Sequence, residues 1–505
     1  MADAALIIVA IVVCVVCIAG IVVFMVYMQH PEDKNTAYFP KFVVLLGLFL
    51  ACVTTLLLPF DVALKGSDSY QYIGQLWYAC YMGIGIMAFA VCPFVMFFYE
   101  TDEEESGARR LCTAICWTSV FVFCFAMLTG ICYVTIGYVQ LPVQFNYAPL
   151  LDANATLDTD SMGCCTSTPT CDANDNICGP NHQNGIIKIR TSAAIYILAM
   201  LSFCGWFLTM SFGGIGLAAL PFDLINDFRT RPHPIDLKEF AAKKLEMKGR
   251  SAGLLALGKE MESEFRAKPN KRKEKIFCNK FKAMVYELEE EYTKLMICYK
   301  ESGGNPLIPW FKLFLGIMGM AISISWLVQI VLQIFMKGCE GACPFLNSVF
   351  ITLNNTFPLF GTCAYGVFAF YLLWAVIKGC MKFGLRFFII SIHPMKVGGT
   401  LMNSFLFNTG MILLCTAAIV QFCTTAFSDY ARLTAVSQIF VTQVQYLIFL
   451  RVFYNLNVFY IIFLCFAGLA FLYGVIEPFC RKKRATTLEG MMHEAKSSGK
   501  GRLLK

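Results

Sequence analysis

The stretch Ala5–Met28, ALIIVAIVVCVVCIAGIVVFMVYM, runs through the chain without a single charged side chain. A bilayer core needs about 20 predominantly apolar residues per helix, so this segment is long enough to cross one. It carries neither the basic flank nor the small-residue cleavage site of a signal peptide, and is expected to be a retained helix. Eight further runs repeat the pattern at approximately Phe39–Phe60, Gln75–Tyr99, Leu111–Val139, Thr191–Leu220, Trp310–Met336, Phe350–Lys378, Gly399–Ala426 and Val452–Ile476. Apart from lysines at their edges, none contains Asp, Glu, Lys or Arg. Across all 505 residues 57% are hydrophobic and 15% charged. Soluble domains average about 25% charged, so a soluble multidomain protein is excluded. The expected fold is all-α and polytopic, with about nine membrane helices.

Charge gives the expected orientation, because basic residues favour the cytoplasmic side of membrane proteins. With the N-terminus outside or luminal and the C-terminus cytosolic, 35 of the 41 Lys and Arg fall on the inner side, against 24 of the 34 Asp and Glu. The inner side then carries +11 and the outer side −4, so the overall +7 is a sidedness signal. A basic inner face suits contact with anionic lipid.

The same map divides the chain into a five-helix membrane region (1–220) with a long outside loop (140–190), a cytosolic insert (221–309), a four-helix membrane region (310–476) and a basic tail (477–505). Cys164, Cys165, Cys171 and Cys178 lie in the long loop, and Cys339 and Cys343 follow the sixth span. All six are on the oxidising side and are disulfide candidates, with connectivity left open. Cys14 and Cys17 form a CxxC spacing inside the first span, where packing is the default reading of a free thiol. Asn154-Ala155-Thr156 is a candidate N-glycosylation site in the same loop. Cys480 followed by Arg481, Lys482, Lys483 and Arg484 fits either a palmitoyl and lipid-binding cluster or a plain stop-transfer anchor.

The insert holds 18 basic and 14 acidic residues. Asp236 with Glu239 three residues on forms a capping box, predicting a helix to about Phe265. The stretch Lys268-Pro269-Asn270-Lys271 then breaks it. In the following stretch Phe277, Phe281, Met284, Leu288, Leu295 and Cys298 advance by threes and fours, interrupted by Glu291, so an antiparallel helical hairpin is expected.

Catalytic patterns are missing. The five histidines do not pair at a zinc-binding spacing, and no catalytic residue, metal ligand or cofactor is expected. Gly214-Ile215-Gly216-Leu217-Ala218-Ala219 imitates a dinucleotide motif inside an apolar run, where close helix packing is the better reading. Arg451, in the run from Ile439 to Tyr460, is the nearest exception to the charge-free interiors of the spans. It is expected at the outer interface, with 439–450 forming an interfacial or re-entrant segment; the alternative is an Arg facing an internal anion site. Leu58-Pro59-Phe60-Asp61 and Leu220-Pro221-Phe222-Asp223 echo one another, and each proline is expected to stop its helix.

Several blocks carry a family resemblance: Gln29-His30-Pro31-Glu32-Asp33 followed by Ala37-Tyr38-Phe39-Pro40-Lys41, then Leu58-Pro59-Phe60-Asp61-Val62, Pro93-Phe94-Val95-Met96 and Ala219-Leu220-Pro221-Phe222-Asp223. The clearest is Ile392-His393-Pro394-Met395-Lys396 leading into Thr400-Leu401-Met402-Asn403-Ser404-Phe405. Together these blocks resemble the LIMR family, the limb-region and lipocalin-interacting membrane receptor (LMBR1-like) type. They look like its plant and protist branch, which is related to the lysosomal cobalamin transport escort protein. The resemblance implies nine helices and an outside N-terminus. It also implies an endocytic receptor for a secreted carrier protein, or an escort for an ABC transporter.

The expected function is therefore a non-catalytic receptor or adaptor of the plasma membrane or the endosomal and lysosomal membranes. Its partners would be the lipid bilayer and an unidentified cytosolic or membrane protein that docks at 236–300, and no nucleic acid. The alternative is a transporter, or transporter subunit, for a small molecule such as cobalamin.

Overall fold

The computed structural model describes residues 2–30, 33, 38–65, 70–101, 106–145, 183–231, 233–267, 281, 284–285, 288–289, 291–296, 298–299, 307–335, 345–383, 385–387, 390–392, 395 and 398–480. Among these, nine helices are long and apolar enough to cross a membrane. The chain divides into two compact units, Met1–Gly216 with Ser325–Ala467, and Leu217–Ile324 with Gly468–Lys505.

In chain order the helices are α1 (Ala2–Met28), α2 (Tyr38–Ala63), α3 (Tyr70–Ile86), α4 (Cys92–Glu100), α5 (Gly107–Ile136), α6 (Ala193–Arg229), α7 (Leu237–Ala267) and α8 (Leu307–Phe335). They continue as α9 (Phe345–Thr356), α10 (Pro358–Phe383), α11 (Met402–Ala426), α12 (Ala435–Phe440), α13 (Leu450–Asn455) and α14 (Val458–Cys480). A π-helical turn, Met87–Val91, joins α3 to α4. Two antiparallel strand pairs complete the list: β1 (Tyr138–Phe145) with β2 (Gln183–Arg190), and β3 (Leu385–Phe387) with β4 (Ile390–Ile392).

The first unit is built around α11. Of its most apolar window 89% is buried, against 6% for α1 and for α5, which therefore present apolar side chains outward. Without water in the bilayer core, helix association relies on close packing, and small residues permit it. A Cβ on Gly216 would lie 1.7 Å from the Ala375 carbonyl oxygen, and one on Gly379 1.8 Å from that of Phe212, so α6 and α10 cross backbone to backbone. Gly205 meets the Leu414 carbonyl of α11 in the same manner. Packing thus explains the dinucleotide-like glycines.

At one end of this unit two of the resembling blocks come together. His30 N–H donates to the Thr400 carbonyl (3.0 Å), Thr400 N–H to Met28 (3.1 Å) and Gly398 N–H to Tyr27 (3.1 Å). The Asp33 carboxylate accepts from the Met402 N–H at the start of α11 (3.0 Å), while Lys41 donates to the Asp33 carbonyl (2.5 Å).

The second unit contains the insert. Asp236 accepts from Leu237 N–H (2.8 Å) at the start of α7. Glu239, expected to complete the capping box, is instead paired with Lys243 (2.6 Å). Contacts between α7 and the described residues of 281–299 run antiparallel: Phe240 stacks on Tyr299 (4.2 Å), Arg250 pairs with Glu291 (2.6 Å), and the Phe281 ring lies against Gly258. Glu291, which interrupts the apolar spacing, is thus the partner of an arginine. Both side chains of that pair are more than a third exposed, so Arg250→Ala is expected to cost no more than about 1 kcal/mol, read as a small shift in thermal denaturation.

Four sequence expectations are corrected. Pro59 and Pro221 do not end their helices; α2 continues to Ala63 and α6 to Arg229. A proline removes one backbone donor, and a packed membrane helix tolerates this. The run expected to start at Phe350 is broken, with α9 ending at Thr356 and α10 starting at Pro358, where the missing N–H costs nothing. The last span starts at Val458 rather than Val452, because Asn457 takes a left-handed conformation (φ 51°) between α13 and α14. The fourth stops at Ile136, and Tyr138 and Val139 belong to β1.

Candidate functional site

The segment 427–457 connects α11 to α14 at the end of the first unit that carries β1 and β2. It includes α12, a 3₁₀ turn at Val444–Tyr446 and α13. Short elements of this kind leave many backbone groups unpaired, and near a bilayer these must be satisfied by protein. Side chains of the surrounding helices do so. Asp61, fully buried, accepts from Ala435 N–H (3.0 Å), Val436 N–H (2.8 Å) and Trp77 Nε1 (2.8 Å). Thr434 Oγ1 accepts from Ser437 N–H (3.2 Å), which adds a local cap to α12. At the end of α11, Gln329 donates to the Ala426 carbonyl (2.9 Å) and Gln333 to that of Thr425 (3.3 Å). Ile448 N–H donates to Tyr138 of β1 (3.1 Å), which ties the segment to the strand pair.

Beneath this cover lies a pocket of about 150 Å3. Its deep wall is Gln421, Thr425, Tyr454 and Tyr460; Gln333 lies beside them, and Gln445, Asn455 and Asn457 complete the lining. Gln421 Oε1 is held by two donors, Trp206 Nε1 (3.1 Å) and the Tyr454 hydroxyl (3.0 Å). Burial pushes the Tyr454 phenol well above its ordinary pKa, which keeps it protonated as a donor. Gln333 Oε1 is buried with no hydrogen-bond partner. A buried acceptor left without a partner costs about 1–3 kcal/mol.

A chain of packed aromatic rings stands behind the Gln421 wall of the pocket, where Trp206 is bonded to Gln421 (3.1 Å). Trp206 packs on Phe422 (5.4 Å), Phe422 on Trp326 (5.2 Å), Trp326 on Phe427 (4.9 Å) and Phe427 on Phe350 (5.1 Å), linking α6, α11, α8 and α9. All five side chains are fully buried.

Arg451 belongs to α13, outside the nine spans, and its guanidinium faces Gln140 of β1 (3.5 Å) rather than the pocket. Cys164, Cys165, Cys171, Cys178, Cys339, Cys343 and Asn154 lie outside the described residues, as do Arg481, Lys482, Lys483 and Arg484; Cys480 is the last residue of α14. Cys14 and Cys17 are on α1.

Sequence reasoning missed both Asp61 and the pocket. Asp61 was assigned to the outside loop because Pro59 was expected to end the helix. The signal for the pocket was present as amides inside apolar runs, at Gln333 and Gln421. A second concave feature lies in the insert, a cleft of about 760 Å3 lined by Leu245, Met247 and Leu288 with Lys244, Lys248 and Glu289.

These features define a polytopic α-helical membrane protein with a covered polar pocket. The family model described as LMBR1-like membrane protein matches residues 5–301 and 305–473. A LIMR family protein of Dictyostelium discoideum is 36% identical over 95% of this chain and 98% of its own length. LIMR family proteins of Arabidopsis thaliana and Oryza sativa subsp. japonica are 37% and 34% identical, each over 95% of this chain and 97% and 98% of their own lengths. The chain belongs to the LIMR family of LMBR1-like membrane proteins. No solved structure matches it.

Proposed function

We propose that the protein is a non-catalytic receptor or adaptor of the plasma membrane or of endosomal and lysosomal membranes. The β1–β2 end, with segment 427–457, is its outside or luminal ligand face, and the insert is its cytosolic docking element. The observation that carries this reading is the aromatic layer. Rings of four helices pack into a continuous buried layer behind the pocket wall, and the amides around it are used to hold backbone groups. A conduit would have to part those rings. A receptor uses the pocket from one side only.

The insert supports the second half of the proposal. Its cleft is lined by apolar side chains with Lys244, Lys248 and Glu289, a net positive rim, and Leu245 is 71% exposed. An amphipathic helix carrying acidic residues fits that chemistry. Deleting 236–300 is expected to abolish co-purification of cytosolic or membrane partners while membrane insertion persists; an unchanged partner set would overturn the docking role. The alternative, a transporter or transporter subunit for a small molecule such as cobalamin, draws on the polar pocket, and direct flux measurement separates the two.

A further inference from the structure

The wall of the pocket contains amides, a threonine hydroxyl and two phenols, and no charged side chain. An ion entering it would lose hydration without a countercharge, which is costly away from water. A purely apolar guest would strand the buried Gln333 oxygen and the amides. The guest that fits is neutral and rich in both donors and acceptors.

Size narrows the choice further. A cavity of about 150 Å3 holds a ring the size of benzene, and this one has that volume, so a hydroxylated ring would seat one edge in it and keep its remaining hydroxyls at the open mouth. Tyr454 and Tyr460, 7% and 4% exposed, add aromatic surface beside the amides. A ring with hydroxyls at its edge and C–H groups on its faces meets both kinds of wall. The mouth lies at Asn455, which is exposed, and at the half-buried Gln445, so a ring attached to a larger molecule can enter at its end.

We propose that this pocket binds one neutral sugar ring, the terminal hexose of a larger glycan or glycoconjugate. The inference rests on the receptor reading for its biological use, but the binding event itself does not depend on it. Gln333 Oε1 accepts a hydroxyl of the ring, Gln445 and Asn457 bond the outer hydroxyls, and Tyr454 remains bonded to Gln421.

The test uses the full-length protein in lipid nanodiscs, titrated with the methyl glycosides of glucose, galactose and mannose. Intrinsic tryptophan fluorescence is the readout, because Trp206 is bonded to Gln421 in the pocket wall. At least one glycoside is expected to give a saturable change. Gln333→Leu and Gln445→Ala should each weaken it about tenfold, roughly the 1.4 kcal/mol worth of one hydrogen bond; Gln445→Ala should do so with unchanged thermal stability, whereas Gln333→Leu also removes the donor to the Thr425 carbonyl. Glycerol and gluconate at equal concentration should give none. Three results overturn the proposal: no saturable change with any glycoside, which leaves a pocket of water only; equal response to glycerol; or a response untouched by both substitutions. Sugar binding with an unchanged partner set after deletion of 236–300 would remove the cytosolic docking role and leave the pocket assignment standing.

Discussion

Asp61→Ala is expected to unfold the β1–β2 end of the first unit. The substitution removes the acceptor of three donors, two of them backbone N–H groups of the first turn of α12, and leaves them in a fully buried place. Each buried donor left without its acceptor costs about 1–3 kcal/mol, and three of them amount to a large part of the roughly 5–15 kcal/mol that keeps a domain folded. Detergent-solubilised Asp61→Ala should lose most of its monodisperse peak in size-exclusion chromatography and denature at a much lower temperature. Asp61→Asn keeps one acceptor oxygen and should fall between the two. A wild-type melting curve for Asp61→Ala would mean that segment 427–457 is held by something other than this carboxylate.

The second large effect is at the crossing of α6 and α10. With an added Cβ only 1.7 Å from a carbonyl oxygen at Gly216 and 1.8 Å at Gly379, no rotamer relieves the overlap; the two backbones must separate. Overpacking of cores costs about 1–3 kcal/mol where side chains can shift, and here backbone must move, so Gly216→Ala should lie at or above the top of that range. Gly216→Leu should fail to accumulate as a folded protein. Gly130 in α5 is the control, because nothing lies within 4 Å of its added Cβ. Gly130→Ala should be neutral or gain up to about 1 kcal/mol from helix propensity.

The spans were legible because a bilayer sets one length for every helix and excludes charge from it. The ends of several spans were less so. Pro59 and Pro221 have the chemistry of a stop, yet the helices around them are held by packing that no local pattern records. Phe357-Pro358 and Asn457 are real breaks, and there the local chemistry was decisive: Pro at the first position of α10, and an asparagine in the left-handed region before α14. The strand pair from Tyr138 to Phe145 and Gln183 to Arg190 was read only as loop, since its partners lie more than 35 residues apart and pairing at that separation leaves no local period.

The site was less legible than the fold. Gln333, Gln421 and Tyr454 are ordinary residues in sequence, spread over three elements, and become a pocket only when α8, α11 and α13 converge. Charge was the guide in the sequence, and it pointed to Arg451. The structure turns that side chain toward Gln140 and leaves the pocket neutral. Asp61 became recognisable as a buried tie only once α2 was seen to continue past Pro59.

The most direct test of a one-sided pocket backed by a continuous aromatic layer is flux through the purified protein. Proteoliposomes containing the full chain should retain internal labelled cyanocobalamin, and equally labelled methyl glucoside, at the rate of protein-free vesicles. Release faster than that control, slowed by substitution at Gln421 or Gln333, would contradict the receptor reading and establish a transport pathway through the bundle.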